Sequence, residues 1–304
     1  MLRVENVSFG YSEKPVLKDL DFQVMPGENL AVIGESGSGK STLLKIIFGE
    51  FDFDEGHIFW KDQEILGPKF NLVVGYDFMK QVSQEFDLMP FTSVEENVGK
   101  FLSNFFPEEK KDRTAELLEV VELSAFSKTK VKLLSGGQKQ RVALARSIAI
   151  QPEILLLDEP FSHIDNFKKQ SLRRNLFRYL KEHNIACIVA THDKDDVLGF
   201  ADNMIVLSDS RIMANDRPSQ LYNDPKDSLI ASFFGEFNRI QNKIVYAHQL
   251  KIVPSSQLKV VVEKSYFKGN HYLIEAIMKE DSIFFEHPTK VKKGNTVCLA
   301  VNKH

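Results

Sequence analysis

Cysteine is nearly absent. Cys187 and Cys298 are the only two among 304 residues, too few for a disulfide framework, which points to a reducing compartment. Long apolar runs are missing as well: no stretch approaches eighteen consecutive apolar residues, so no bilayer-spanning helix is expected. The opening Met1-Leu2-Arg3-Val4-Glu5 lacks the apolar core of a signal peptide. Neither sign of charge is in excess. Lys and Arg number 39 against 42 Asp and Glu, a net charge of −3, where a general nucleic-acid binder would be markedly basic. There is no internal repeat and no low-complexity tract. What remains is 43% hydrophobic and 27% charged, ordinary for a protein that buries a core, and long enough for two domains. The expectation is a soluble, cytoplasmic molecule that does not bind nucleic acid.

Several apolar runs are continuous rather than alternating: Leu30–Ile33, Ile154–Leu157, Ile185–Ala190 and Met204–Leu207. Strands buried on both faces of a helix-covered parallel sheet read this way. Helical stretches such as Gly137–Ile150 and Asn166–His183 separate them, giving a βα rhythm. Lys168, Lys169, Arg173, Arg174 and Arg178 are assigned to the solvated face of the second. Ahead of these, Leu2–Phe9 and Val16–Val24 alternate around the turn Met25-Pro26-Gly27-Glu28, which predicts an antiparallel strand group. Residues 85–134 form a helix-rich insertion. Ser93 and Glu96 have capping-box spacing and open a helix extending to Phe106, and a second helix fits Lys110–Leu123. After Phe234-Gly235-Glu236 come short β-rich segments: Ile244–Ile252, Lys259–Tyr266, Tyr272–Met278, Ser282–Glu286 and Thr296–Val301. Their turns and spacing predict a small β-barrel, with the basic run Lys290–Lys293 on a solvated turn. The expected domains are therefore 1–235 and 236–304.

The densest chemical information is at residues 34–42, Gly34-Glu35-Ser36-Gly37-Ser38-Gly39-Lys40-Ser41-Thr42. This is the P-loop pattern G-x-x-x-x-G-K-[ST] in its required place, after a buried strand and before a helix. Glycines let successive N–H groups turn inward onto phosphate oxygens, and the following helix adds its positive end. Lys40 can then reach the β- and γ-phosphates, and the Ser41 hydroxyl can ligate Mg²⁺. The ligands expected are a nucleoside triphosphate, which the resemblance given below makes ATP, and Mg²⁺.

Ile154–Leu157 leads into Asp158-Glu159-Pro160. Two carboxylates at a strand end beside a P-loop divide the work: Asp158 toward Mg²⁺, Glu159 toward an attacking water. Leu134-Ser135-Gly136-Gly137-Gln138 opens a further helix. A Ser hydroxyl and glycine amides at a helix start make another anion site, although such residues also serve as a plain cap. Since the P-loop already cradles one set of phosphates, the second site makes sense if it serves the nucleotide of a neighbouring copy.

On these residues, and on Leu134–Gln138 continuing as Lys139-Gln140-Arg141, the chain resembles the ATP-binding subunits of ABC transporters over residues 1 to about 235. The resemblance implies further roles. Tyr11 would stack on adenine. Gln84, in Val82-Ser83-Gln84-Glu85-Phe86, would contact Mg²⁺ and water and sense the membrane partner, its downstream spacing favouring it over Gln81. His192, in Ala190-Thr191-His192-Asp193, would hold the γ-phosphate. Ser135, Gly136, Gly137 and Gln138 would act in trans, and Asp165 would belong to the loop that communicates between two copies. One departure stands out: His163 in Ser162-His163-Ile164-Asp165, where the family carries small and leucine-like residues. More weakly, residues 236–304 resemble the TOBE-type barrel of many importers, with a structural extension that widens the dimer as the other reading.

The implied fold is α/β: a RecA-like P-loop core with an antiparallel β layer, an inserted helical subdomain and a C-terminal β-barrel. The implied function is ATP hydrolysis coupled to transport, by a dimer acting on integral membrane permease subunits, with a substrate-binding protein as a further partner. Such a chain would sit on the cytoplasmic face of the inner membrane through the permease. The rivals are a soluble mechanochemical ATPase, whose coiled-coil insertions or paired ATPase units are missing here, and a nucleotide sensor with little turnover, which fits poorly with an intact Glu159 and His192.

Overall fold

A strand with no polar side must be covered on both faces, and the continuous apolar runs build the centre of the molecule for that reason. The computed structural model describes residues 1–83 and 85–302. Its central sheet has six strands in the order Arg211–Asp216, Asn203–Ser208, Asn29–Gly34, Ala186–Ala190, Ile154–Asp158, Met79–Val82. All run parallel except Arg211–Asp216, which closes one edge antiparallel. Ile154–Asp158 and Ala186–Ala190 are buried at every position. The pairing of Val32 and of Asp158 with Ala190 brings three strand ends to one edge. In a parallel sheet that carboxyl edge is where ligands bind.

The expected antiparallel layer is present, ordered Leu17–Val24, Leu2–Phe9, Glu55–Trp60, Gln63–Glu64. Leu2, Val4, Leu20 and Ile58 share one core with Leu30, Val32, Leu156 and Ile188 of the central sheet and with Leu43, Leu44 and Ile47 of the helix Lys40–Phe48. Two central strands are not among the expected ones, Arg211–Asp216 at the antiparallel edge and Met79–Val82, whose four residues of mixed polarity (Met-Lys-Gln-Val) are too few to establish a period.

Between Met79–Val82 and the helix Gly136–Ser147 lie the helices Val94–Val98 and Pro107–Val120. The Ser93–Glu96 capping box closes as expected, at 2.6 and 3.2 Å. The first helix does not reach Phe106. It stops at Val98, Gly99 caps it, and Pro107 starts the next helix, pushing Phe106 out of helical geometry.

The chain divides into two compact units, Met1–Pro218 and Ser219–His304. The division falls upstream of residue 235 because Tyr222 stacks on Tyr246 at 4.9 Å and meets Phe234 edge-on, so these helical residues pack with the strands that follow. In the second unit a hairpin, Phe237–Ile240 with Lys243–Tyr246, precedes a five-stranded antiparallel sheet ordered Leu250–Val253, Thr296–Val301, Leu258–Phe267, Tyr272–Met278, Asp281–His287. Its first and last strands approach each other, curling the sheet into a small barrel around Leu250, Val262, Ile274, Phe285 and Leu299. The expected strand Ile244–Ile252 is two strands, broken by a 3₁₀ turn at Ala247–Gln249. No helix of the described residues is long and apolar enough to cross a membrane.

Candidate active site

Asn29–Gly34 ends and Lys40–Phe48 begins with a single loop between them, so the P-loop backbone is gripped from both sides. Gly37 and Gly39 take the left-handed conformation, at φ +83° and +97°. A Cβ on Gly39 would lie 2.7 Å from Leu17 Cδ2 and 3.2 Å from the Val16 carbonyl oxygen, whereas one on Gly37 would meet nothing within 4 Å. Gly39 is therefore required by packing, and Gly37 faces open space. The helix carries no side-chain cap at Gly39, which leaves its first N–H groups for a ligand. Lys40 Nζ donates to the carbonyl oxygens of Gly34 at 2.9 Å and Glu35 at 3.0 Å, folding the ammonium back over the loop. Burial lowers its pKa from the usual lysine value, outweighing the carboxylates of Glu159 and Asp158.

A cleft of about 400 Å³ opens here, lined by Tyr11, Gly37, Lys40, Ser41, Asp158 and Glu159 among others. The Tyr11 ring is 61% exposed. It is set edge-on against Phe9 and Phe51, and its hydroxyl lies 3.2 Å from that of Thr42. ATP with Mg²⁺ fits this donor set. Glu35, Ser36 and Gly37 are exposed, the Ser38 hydroxyl oxygen is buried without a protein partner, and Ser41 with Asp158 offers hard oxygen ligands. Among the described residues no group of three or more His, Cys, Asp or Glu is arranged to hold a metal. Mg²⁺ held by one carboxylate, a hydroxyl and phosphate oxygens needs no such cage.

Glu159 has a left-handed backbone, φ +51°, a costly conformation for a non-glycine residue. Several bonds hold it there. Its N–H donates to the Ala190 carbonyl at 2.9 Å, and its own carbonyl accepts from Gln140 Nε2 at 3.0 Å and from the Ser162 hydroxyl at 3.0 Å. The turn aims the mostly buried carboxylate at His192, whose Nδ1 lies 2.7 Å from Glu159 Oε2 while the imidazole is 73% exposed. Nε2 is thus turned away from Glu159.

Ser135 caps the helix Gly136–Ser147 through a complete capping box, its hydroxyl accepting from Gln138 N at 3.3 Å and its N–H donating to Gln138 Oε1 at 2.9 Å. Ser135 and Gly136 are exposed. A Cβ on Gly137 would lie 2.5 Å from the His163 carbonyl oxygen, and one on Gly136 would meet nothing within 4 Å. Asp165 is exposed and starts Asn166–Glu182 without a side-chain cap bond. Gln84 lies outside the described residues.

Two features were not anticipated from the sequence. Gln140, 1% exposed, bridges the Glu159 carbonyl and the His163 N–H. Arg173, assigned to a solvated helix face, is instead 2% exposed. Lys168, Arg174 and Arg178 are exposed as expected. A signal for Arg173 existed: it precedes Leu176, Phe177 and Leu180 at i+3, i+4 and i+7, all buried, the spacing of an inward face.

The sequence pattern of the ABC transporter family matches residues 17–162. The Fe(3+) ions import ATP-binding protein FbpC 2 of Haemophilus influenzae is 36% identical over 238 residues, 78% of this chain and 67% of that protein. The spermidine/putrescine import ATP-binding protein PotA of Clostridium novyi is 30% identical over 332 residues, covering 98% of this chain and 94% of the relative. Among solved structures, the dimeric ATP-binding cassette MJ0796 in a post-hydrolysis state bound to ADP and Pi superposes with a TM-score of 0.62 at 30% identity, over 71% of this chain and 98% of that one. A mixed sheet of RecA type, a P-loop and these relatives agree, and the chain belongs to the family of ABC transporter ATP-binding subunits.

Proposed function

We infer that this chain is the ATP-hydrolysing, energy-coupling subunit of an ABC importer, working as a dimer on separate integral membrane permease subunits at the cytoplasmic face of the membrane. A substrate-binding protein would be a further component. The observation that carries the reading is the Glu159–His192 contact of 2.7 Å, with Glu159 also lining the P-loop cleft. The importing relatives and the C-terminal barrel favour import.

In this reading Tyr11 stacks on adenine and the P-loop from Gly34 to Thr42 wraps the phosphates. Lys40 neutralises charge on the transferring phosphoryl group. Ser41, Asp158 and Gln84 would hold Mg²⁺, which would supply neutralisation of the phosphate charge. Glu159 orients and deprotonates water, and His192, already engaged through Nδ1, presents Nε2 to the γ-phosphate. Ser135, Gly136, Gly137 and Gln138 serve the nucleotide of a second copy, and Asp165 lies between copies. Exposure of Ser135 and Gly136 supports this role, because it leaves both approachable from outside the chain. A second cleft of about 390 Å³ is lined by Ser83, Glu85, Phe86, Phe101 and Arg146 among others. Exposed Phe91, Phe101 and Phe105 nearby in the chain give the permease an apolar surface to engage.

Glu159→Gln tests the reading. The amide keeps the shape but accepts no proton, and loss of a general base costs on the order of 10²–10⁴ in rate. MgATP should bind, persist unhydrolysed and hold an ATP-dependent dimer, followed by phosphate release beside size-exclusion chromatography. Hydrolysis near the wild-type rate refutes the role of Glu159. Trapped nucleotide on a monomer refutes the in-trans role of Ser135–Gln138.

A further inference from the structure

Among the described residues, the one ion-pair partner of His192 is Glu159. The imidazole is mostly exposed, so its position depends on the backbone on either side. Both neighbours are tied down. Thr191, 1% exposed, donates its hydroxyl to Asp196 Oδ2 at 2.6 Å and accepts from Asp193 N–H at 3.0 Å. Asp193 caps the helix Lys194–Phe200 by accepting from Asp195 N.

The centre of this arrangement comes from elsewhere in the sequence. Arg173, on the helix that begins directly after Asp165, donates Nε to Asp196 Oδ1 at 2.5 Å and pairs with the carboxylate of Asp193, while Asp195 lies 3.6 Å away. Its guanidinium also lies over the Phe161 ring at 5.5 Å, two residues after Glu159. A buried guanidinium is costly unless matched by carboxylates in good geometry, and Arg can match two at once through its planar fork. One buried cation therefore touches both segments whose side chains meet in the Glu159–His192 contact.

We propose that Arg173 is a positioning residue for ATP hydrolysis, which fixes the Thr191–Asp196 loop against the Phe161 segment and so keeps His192 in register with Glu159. The proposal rests on the roles given above to Glu159 and His192. It assigns to the helix Asn166–Glu182 the task of carrying the position of Asp165, at its start, to His192. Substrate contacts are not involved, so nucleotide affinity is the quantity that stays constant.

The test is a double-mutant cycle in the full chain, measuring kcat and KM for MgATP hydrolysis and the dissociation constant of a fluorescent ATP analogue. Arg173→Met should lower kcat about tenfold or more while KM and analogue affinity change less than twofold, and Arg173→Lys should restore part of kcat. In a His192→Ala background, the same Arg173→Met change should have no further effect on kcat. Should Arg173→Met not fold, Asp196→Asn, which weakens the same anchor at nearly constant shape, takes its place in the cycle. Equal losses from the anchor substitution in both backgrounds, an unchanged kcat, or a loss in affinity instead of kcat each overturn the proposal. If His192→Ala alone leaves hydrolysis unaltered, it is the role of His192 that fails, and the cycle separates that result from a failure of Arg173.

Discussion

Two glycine-rich loops in this chain each open a helix, yet they leave those helices in opposite states. At Gly34–Lys40 the helix has no side-chain cap, whereas at Ser135–Gln138 a reciprocal box closes the cap internally. The first helix is thus left short of partners that phosphates can supply, and the second can stand by itself. Within each loop the glycines divide in the same manner. Gly39 and Gly137 are pressed against Leu17 and the His163 carbonyl, while Gly37 and Gly136 face open space. In each pair one glycine serves the fold of its own chain and the other keeps the backbone approachable from outside.

Breaking this comparison begins with Lys40→Ala. Removing a fixed charge from a transferring phosphate, the role proposed for Lys40, costs on the order of 10²–10³ in rate, and MgATP affinity should fall as well, a result calorimetry checks directly. Unchanged affinity would refute the P-loop assignment. Gly39→Ala comes next. Overpacking against Leu17 and Val16 adds about 1–3 kcal/mol to a left-handed penalty of about 1–2 kcal/mol. Gly37→Ala should show the second cost alone, and urea midpoints of the two variants separate the contributions.

At the other loop, Gly137→Ala should destabilise the chain by about 1–3 kcal/mol, because backbone at His163 must give way. Gly136→Ala, helical and unobstructed, should be neutral or stabilising by about 0.5–1 kcal/mol while weakening ATP-dependent dimerisation. Equal stabilities for the two alanine variants would remove the distinction. Ser135→Ala loses the cap, at about 0.5–2 kcal/mol.

The smallest effect concerns pH. Burial pushes the Asp196 carboxyl up to about 6, against the pull of the Thr191 hydroxyl and of Arg173 and with a push from Asp193. The native state then binds this proton more tightly than the unfolded chain, so stability from this group is present below pH 4 and is lost as pH rises toward 6. The difference in unfolding free energy between wild type and Asp196→Asn should decline across that window and level off above it, as seen in denaturant melts at stepped pH.

Much of the site was legible because its chemistry is local. P-loop, Asp158-Glu159 and Ser135–Gln138 each lie within a few consecutive residues, where spacing alone states which groups can converge. Continuous apolar strands likewise announced a helix-covered sheet. Arg173 was misjudged because composition says that a cluster of basic residues is solvated, and only the i, i+3, i+4, i+7 register contradicts it. Met79–Val82 was invisible because four residues carry no period. The division at residue 218 is not legible locally, because Tyr222 reveals its allegiance only through the Tyr246 ring it stacks on and the Phe234 ring that meets it edge-on.

By itself, then, the sequence determined the class of fold, the position of the P-loop pattern and the pair of carboxylates at the end of Ile154–Asp158, since short-range backbone geometry and buried-strand hydrophobicity are properties of neighbouring residues. Tertiary structure alone decided that Glu159 and His192, far apart in the chain, come within 2.7 Å, that Gln140 braces one and that Arg173 anchors the loop of the other. Parallel pairing brought the ends of Ile154–Asp158 and Ala186–Ala190 to one edge. A long-range register of this kind is set by the packing of the whole sheet, which no local stretch of sequence contains.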